Sequence, residues 1–404
     1  MNTSKGEVIK NFILNALSYA LPTLVLQFVV QPIIARRIGG EANGQYLTLM
    51  SLNYFIIAIT ANVLNTVRML QDAKYKEQKI VGDFNFFFLL YSIIIVICFP
   101  LGFLFFAKAI NIVDIILYVF IGLLYLYHDY IFAQYRLQLK FNKILINNGI
   151  LIAGYFIGIL LFLYVIPKWQ IIIIAGYLLG GIYDYFNTTF IKEPIGKTVL
   201  FKETSHKISS LTCANALSSS ITYFDKLLLY PLLGGSQVSI YNTASLVGKM
   251  LILVSAPLNS FVLSYLVKMK HFKTKIRFKH IFVCVIALVL AYVCCVAIGY
   301  PLTNILYPDW ALESQKLIPI TVAASLFTLV GNLLNTVIIR FYKTTYQIIV
   351  QGFNLILYLL ITLSLLKTSG LIGFSCGIAI VAFIKMVTLA IVIIKLPDSK
   401  SNKS

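Results

Sequence analysis

The sequence predicts an all-α, polytopic membrane protein: twelve transmembrane helices in two parallel six-helix lobes, with both termini in the cytoplasm. Three observations predict it. The composition cannot cover a soluble surface, twelve apolar runs have the length of a membrane span, and the turn after the first run recurs after the seventh.

Of the 404 residues, 59% are hydrophobic and 12% charged, against ~25% charged in a soluble domain, and the mean hydropathy is +0.88. A soluble chain of this length would form two or three domains of roughly 150 residues, each needing a polar exterior. A soluble enzyme, a secreted disulfide scaffold and a disordered protein are thereby excluded. Cys98, Cys213, Cys284, Cys294, Cys295 and Cys376 lie inside apolar runs without metal-ligand spacing to histidine, and read as packing residues.

A helix needs about 20 apolar residues to cross the hydrocarbon core. On that ruler the spans are 12–34, 46–67, 84–107, 112–133, 146–166, 170–190, 208–230, 238–267, 280–300, 316–339, 346–366 and 370–394. The first follows a polar, mildly basic segment and has no small-residue cleavage site behind it, so it reads as an uncleaved membrane helix. Gly39-Gly40 ends it, Pro167 separates the fifth from the sixth, and Pro231 with Gly234-Gly235 closes the seventh. The runs are too long and too continuously apolar for barrel strands. The longest connection covers 191–207, so no loop can form a domain and the function belongs among the helices.

Charge placement sets the orientation. Of 33 Lys and Arg, 24 fall on the N-terminus, the even-numbered loops and the C-terminus, whereas the odd loops hold 6: Arg36, Arg37, Lys108, Lys168, Lys316 and Lys367. The positive-inside bias places both termini in the cytoplasm. The net charge of +19 is spread over alternate short loops rather than one face, which excludes nucleic acid as a partner. The densest cluster, Lys268, Lys270, Lys273, Lys275, Arg277 and Lys279, reads as an anchor to anionic membrane lipid.

The repeat sits in Ile38-Gly39-Gly40 through Tyr46-Leu47-Thr48 and Leu233-Gly234-Gly235 through Tyr241-Asn242-Thr243. At an offset of 195 the two glycines, the tyrosine and the threonine coincide, and the first span maps onto the seventh. Lobes are therefore expected at 1–195 and 196–404, related by an axis along the membrane normal as in parallel-repeat transporters.

Polar residues at helical spacing suggest helices that line a cavity. Span one carries Asn11, Asn15 and Ser18, span seven Asn215, Ser218, Thr222 and Asp225, span eight Asn242, Ser245 and Lys249, and span ten Thr321, Ser325, Thr328, Asn332 and Asn335. Helix packing by hydrogen-bonding side chains is the competing reading. Charges are sharper, since each costs about 2.5–3.5 kcal/mol at a helix centre. Lys249 lies inside span eight and Lys385 near the middle of span twelve; Asp225, Lys226, Arg36 and Arg37 lie at outer ends, where interfacial anchoring competes with substrate contact. Asp129 and Asp184, toward the cytoplasmic ends of spans four and six, are candidate coupling sites together with Asp225. Central cations without as many central carboxylates favour an anionic guest such as pyrophosphate. The four histidines are scattered and no nucleotide-binding loop or nucleophile–base pattern is present.

Tyr223-Phe224-Asp225-Lys226, Leu232-Leu233-Gly234-Gly235 and Ile240-Tyr241-Asn242-Thr243-Ala244 resemble the seventh-to-eighth-helix pattern of the Wzx-type polysaccharide repeat-unit flippases. These belong to the multidrug/oligosaccharidyl-lipid/polysaccharide exporter superfamily. Arg36-Arg37-Ile38-Gly39 through Gly44-Gln45-Tyr46 resembles their first turn, and Tyr135-Arg136 through Asn147-Asn148 their basic loop before the fifth helix. The resemblance implies a V of two lobes in a bacterial cytoplasmic membrane, moving polyprenyl-pyrophosphate-linked oligosaccharide to the outer leaflet by alternating access. It implies a cationic cavity for the pyrophosphate, a role that Lys249 fits by position; Lys385 and Arg36 are expected beside it, and Asn242, Asn215 and Asn332 are further expected contacts to pyrophosphate or sugar. It further implies an H⁺ or Na⁺ gradient rather than a bound cofactor, and a glycan polymerase and chain-length regulator as partners. Tyr54, where a cation would mark the peptidoglycan-precursor branch, points to an O-antigen, capsule or exopolysaccharide unit. The alternatives are a drug exporter of the same superfamily and a membrane polymerase or acyltransferase using Asp309 and Glu313.

Overall fold

A computed structural model describes residues 18, 20–107, 110–252, 258–259, 278–341 and 344–395. Asn11, Asn15 and the basic residues from Lys268 to Arg277 lie outside them. Every regular element among the described residues is a helix. In chain order they are α1 (Gln31–Ile59, continuing a π-helical turn at Leu26–Val30), α2 (Ala61–Gln78), α3 (Asp83–Phe106), α4 (Ile112–Leu137), α5 (Phe141–Tyr164) and α6 (Gln170–Asn187). There follow α7 (Phe201–Leu233), α8 (Gly235–Ala244), α9 (Phe278–Leu306), the short α10 (Ala311–Gln315), α11 (Ile318–Phe341) and α12 (Thr344–Lys395).

Seven helical stretches are long and apolar enough to cross a membrane, two of them being of greater than single length: Ala20–Gln78 with 59 residues and Ile349–Ile393 with 45. A straight helix of the first length would extend ~90 Å, three times the ~30 Å hydrocarbon core. Both are interrupted, at Gly39 (φ 79, ψ 169) and at Ser369-Gly370 (Gly370 φ 57, ψ −137). With these breaks the described parts of the twelve expected spans are helical, and the fold is that of an all-α membrane protein.

The second span differs from its expected bounds. Helix α1 reaches only Ile59, the backbone breaks at Thr60 (φ −114, ψ −82), and α2 continues to Gln78, so that Arg68, Lys74 and Lys76 are helical instead of lying in a loop. Lys and Arg are good helix formers, and the backbone ladder does not stop where the apolar run stops.

The chain divides into two compact units, Met1–Leu232 and Leu233–Ser404. Helix α7 groups with the first through Asn215 Nδ2 on the Ala58 carbonyl (3.2 Å), Thr212 Oγ1 on the Ile59 carbonyl (3.3 Å) and the ring pair Phe55–Phe224 (5.3 Å). Within this unit α5 and α6 approach closely because their contact is made by glycines. A Cβ on Gly154 would stand 2.6 Å from the Ala175 carbonyl oxygen, and one on Gly158 would stand 2.5 Å from Ile172 Cα. Lipid-type side chains are left outside, as on α3, where Ile93, Ile97, Leu101 and Phe105 are exposed.

The segment between α6 and α7 is tied down. Arg68 makes two bonds to Glu193 (2.8 and 2.6 Å) while its guanidinium lies 4.6 Å from the Phe84 ring centre and 4.1 Å from that of Phe190. Asn85 donates to the Phe190 and Glu193 carbonyls, and Asp83 receives the Thr198 amide and hydroxyl. At the start of α7, Glu203 bridges Lys74 (2.7 Å) and Lys207 (2.8 Å), which hold its carboxyl down to about 2.

In the second unit α8, α11 and the segment between them share a core of Ile240, Ala244, Leu317, Ile318, Val322 and Leu326. The repeat carries into three dimensions. Gly234 (φ 84, ψ 172) has the conformation of Gly39, a region open essentially to glycine alone. Tyr46 packs edge-on against Trp169 at the start of α6 (4.8 Å), and its counterpart Tyr241 packs edge-on against Phe374 in the last span (5.9 Å).

Candidate functional site

Among the described residues, each unit holds a polar group that includes candidate site residues. In the second unit α8 ends at Ser245, whose backbone (φ −85, ψ −3) makes a local turn before the helix resumes. Lys249 stands two turns beyond Asn242, on the same face. Its Nζ is 3.4 Å from Asn242 Oδ1 and 5.7 Å from the centre of the Tyr241 ring. An amide oxygen and a ring face both suit an ammonium. The local packing is tight behind it, since a Cβ on Gly248 would meet Ser325 Oγ at 2.3 Å. Thr321 donates to the Ala244 carbonyl and Trp310 Nε1 to Thr243, so α8 is held by neutral bonds.

Lys385 reaches Gln351 Oε1 at 3.5 Å, within α12 across its kink, while Asn332 is partly buried on α11. Arg36 is exposed on the last turn before the Gly39 break. Asn215 Nδ2 donates to the Ala58 carbonyl of α1, a packing contact. Asp225 and Lys226 are 5% and 9% exposed; Asp225 Oδ1 accepts the Lys226 amide at 2.8 Å, with the ammonium at 3.9 Å.

The first unit holds an aromatic and acidic cluster. Tyr54 on α1 pairs with Tyr125 on α4 (5.8 Å) and Tyr223 on α7 (6.0 Å), and Tyr125 lies against Tyr177 on α6 (3.9 Å). His128 continues it, 5.0 Å from Tyr177 and 4.1 Å from Phe132, with Nδ1 3.3 Å from Asp129 Oδ1. Asp184 is fully buried and accepts the Tyr135 hydroxyl at 2.9 Å. Thus Asp129 and Asp184 belong to one neighbourhood, built by α4 and α6. Tyr125, Tyr177 and His128 escaped the sequence reading as site residues, although Tyr125, His128, Phe132 and Tyr135 recur at helical spacing, as do Tyr177, Gly181 and Asp184. The repeat offset also makes Tyr54 the register counterpart of Lys249, a phenol in one unit and an ammonium in the other.

No protein-family model and no curated protein matches the chain. Solved structures do. A lipid II flippase, MurJ, in an inward closed conformation aligns with a TM-score of 0.72 at 14% identity, covering 95% of this chain and 88% of that one. An inward-facing multidrug resistance MATE family transporter of the MOP superfamily aligns at 0.67 and 12% identity, covering 94% and 98%. A MOP superfamily transporter from Pyrococcus furiosus, described as having a binding pocket of reverse polarity, aligns at 0.63 and 13%, covering 97% and 99%. At such identities the likeness is one of fold. This chain has the fold of the MOP superfamily transporters over nearly its whole length.

Proposed function

We propose that the protein is a flippase that moves polyprenyl-pyrophosphate-linked oligosaccharide repeat units across a bacterial cytoplasmic membrane for surface polysaccharide assembly. The observation that carries the reading is Lys249. A lysine set into a membrane helix costs about 2.5–3.5 kcal/mol, and here its ammonium lies near Asn242 Oδ1 and the Tyr241 ring, next to the closely packed Gly248. Such a group suits a diffuse anion, which it meets as a point charge. The fold supports alternating access, with 1–195 and 196–404 as the repeat-related lobes and the basic loops on the cytoplasmic side. Lys385, Arg36, Asn332 and Asn242 are the further ligand contacts in this reading, and the tyrosine faces around Tyr54 suit a sugar.

Deletion of the gene in its host, with labelling of lipid-linked oligosaccharide in each leaflet, tests it. Complete repeat units should accumulate on the inner leaflet and surface polymer should be lost. Lys249→Ala should reproduce that phenotype with the protein still in the membrane, and Lys249→Arg should restore part of the export. Units that reach the outer leaflet in the deletion strain would sink the proposal and turn attention to an enzymatic role of Asp309 and Glu313.

A further inference from the structure

The start of α7 presents a surface unlike that of the lipid-facing helices. On α3 the exposed side chains include Ile93, Ile97, Leu101 and Phe105. From Phe201 to Cys213 of α7 the exposed residues are Lys202, His206, Ser209, Ser210 and Cys213, with no large apolar side chain exposed among them. Together with Ser205 they line a groove of about 540 Å³. Steps of four, three and four residues from Lys202 through His206 and Ser209 to Cys213 keep these side chains on one helix face. Cations and hydroxyls are costly against lipid tails, so this face suits water or a polar guest.

The polar groups of the groove are uncommitted. Further along α7, Ser218, Ser220 and Thr222 return their hydroxyls to backbone carbonyls about one turn back. The side chains of Lys202, Ser205, His206, Ser209 and Ser210 make no hydrogen bond or ion pair among the described residues. The adjacent carboxylate, Glu203, is already occupied by Lys74 at 2.7 Å and Lys207 at 2.8 Å, which removes the group that would repel an anion. Lys202 also stands in the first turn of α7, where the helix dipole disfavours a cation; a bound anion offsets that cost. Lys197, with its ammonium 4.9 Å from the centre of the Phe201 ring, adds positive charge at the same end of the helix.

We infer that this groove is a diphosphate-binding site. The Lys202 ammonium and a ring N–H of His206 each take one phosphoryl group, and the hydroxyls of Ser205 and Ser209 donate to the remaining oxygens. The two nitrogenous side chains start one turn apart, with Cβ atoms separated by about 5–6 Å, which suits two joined phosphoryl groups. The single phosphoryl group of a phospholipid would leave one of them unused. In the transport reading, on which this step rests, the groove receives the diphosphate of the lipid-linked substrate on the cytoplasmic side before Lys249 does. The site itself does not depend on that reading.

Cys213 reports on the groove in the unaltered protein, since it is exposed there. Full-length protein in phosphatidylcholine nanodiscs is treated with a charged maleimide, and modification of Cys213 is followed by mass spectrometry. Cys213 should react. Saturating inorganic pyrophosphate should slow the reaction about tenfold, and inorganic phosphate at the same concentration should have little effect. Lys202→Ala combined with His206→Ala should abolish the protection while Cys213 keeps its unprotected rate, which shows the groove intact. A Cys213 that does not react would overturn the aqueous groove and the site with it. Protection that survives in the double variant, or that phosphatidylglycerol in the nanodisc gives without pyrophosphate, would overturn the diphosphate assignment. Farnesyl pyrophosphate should protect at lower concentration than inorganic pyrophosphate; equal potency would keep the site and overturn its use for a lipid-linked substrate. In the host, the double variant should export several-fold less surface glycan. Wild-type export with protection lost would overturn the loading step alone, whereas normal export by the deletion strain would overturn the transport reading and leave the site standing.

Discussion

Glu193→Ala is expected to release the segment between α6 and α7 while leaving the helices intact. Arg68 is buried, with 6% of its side chain exposed, and Glu193 is nearly so at 16%. The pair is bidentate, with both bonds in the short, charge-assisted range. Removing one member of a buried pair costs about 3–5 kcal/mol, because it strands the other charge. Phe84 and Phe190 still face the guanidinium from 4.6 and 4.1 Å and recover part of that cost. A loss of about 3 kcal/mol is therefore expected, equivalent to roughly a hundredfold rise in the population with the segment open at 1.4 kcal/mol per decade. Hydrogen exchange reads this directly at the amides of Thr189 and Phe190, both held by Gln134 Oε1 in the closed form. Arg68→Met combined with Glu193→Met should recover most of the protection, since it leaves no stranded charge. Protection unchanged in Glu193→Ala, or losses that simply add in the double variant, would refute the claim that the pair holds the segment.

Three further outcomes follow from local geometry. Gly39→Ala and Gly234→Ala should each destabilise the protein in detergent by about 1–3 kcal/mol, and by similar amounts, because the two backbones match and a Cβ on Gly39 meets no neighbouring atom; thermal unfolding of the two variants checks it. Gly154→Leu should part α5 from α6, since even a Cβ there would stand 2.6 Å from backbone atoms of Ala175 and Gly176, and the loss should be at least the 1–3 kcal/mol of an overpacked core. Glu203, with its carboxyl near 2, contributes stability that is complete above the ordinary value of 4.5 and fades as pH falls toward 2. Reactivity of Lys74 toward an amine reagent, referred to an exposed lysine, should therefore rise in Glu203→Gln at neutral pH and show no carboxyl-linked step between pH 7 and 4 in the wild type.

Much of the architecture was legible because a bilayer imposes a simple rule: runs of about 20 apolar residues become helices, whatever their neighbours. The paired glycines were legible for a related reason, as only a residue without a Cβ adopts the backbone that Gly39 and Gly234 share. The site was legible in part. Spacing on one helix is enough to align Lys249 with Asn242, two turns apart, and that pair is formed. The tyrosine cluster depends on which face of α1, α4, α6 and α7 turns toward the others, and no single periodicity states that. Asp184 was noticed as a charge near a span end, but its full burial follows from α5 and α6 closing through Gly154, Gly158 and Gly176.

The sequence by itself determined what is set by local chemistry and by solvent: helix as the only element, the number and order of spans, the breaks at glycine, and the repeat. Tertiary structure alone decided which polar groups became a site. Polar residues on a membrane helix can face lipid, water or each other, and only packing between helices distant in the chain buries Asp184, spends Asn215 on a backbone carbonyl, and brings Tyr54, Tyr125, Tyr177 and Tyr223 together.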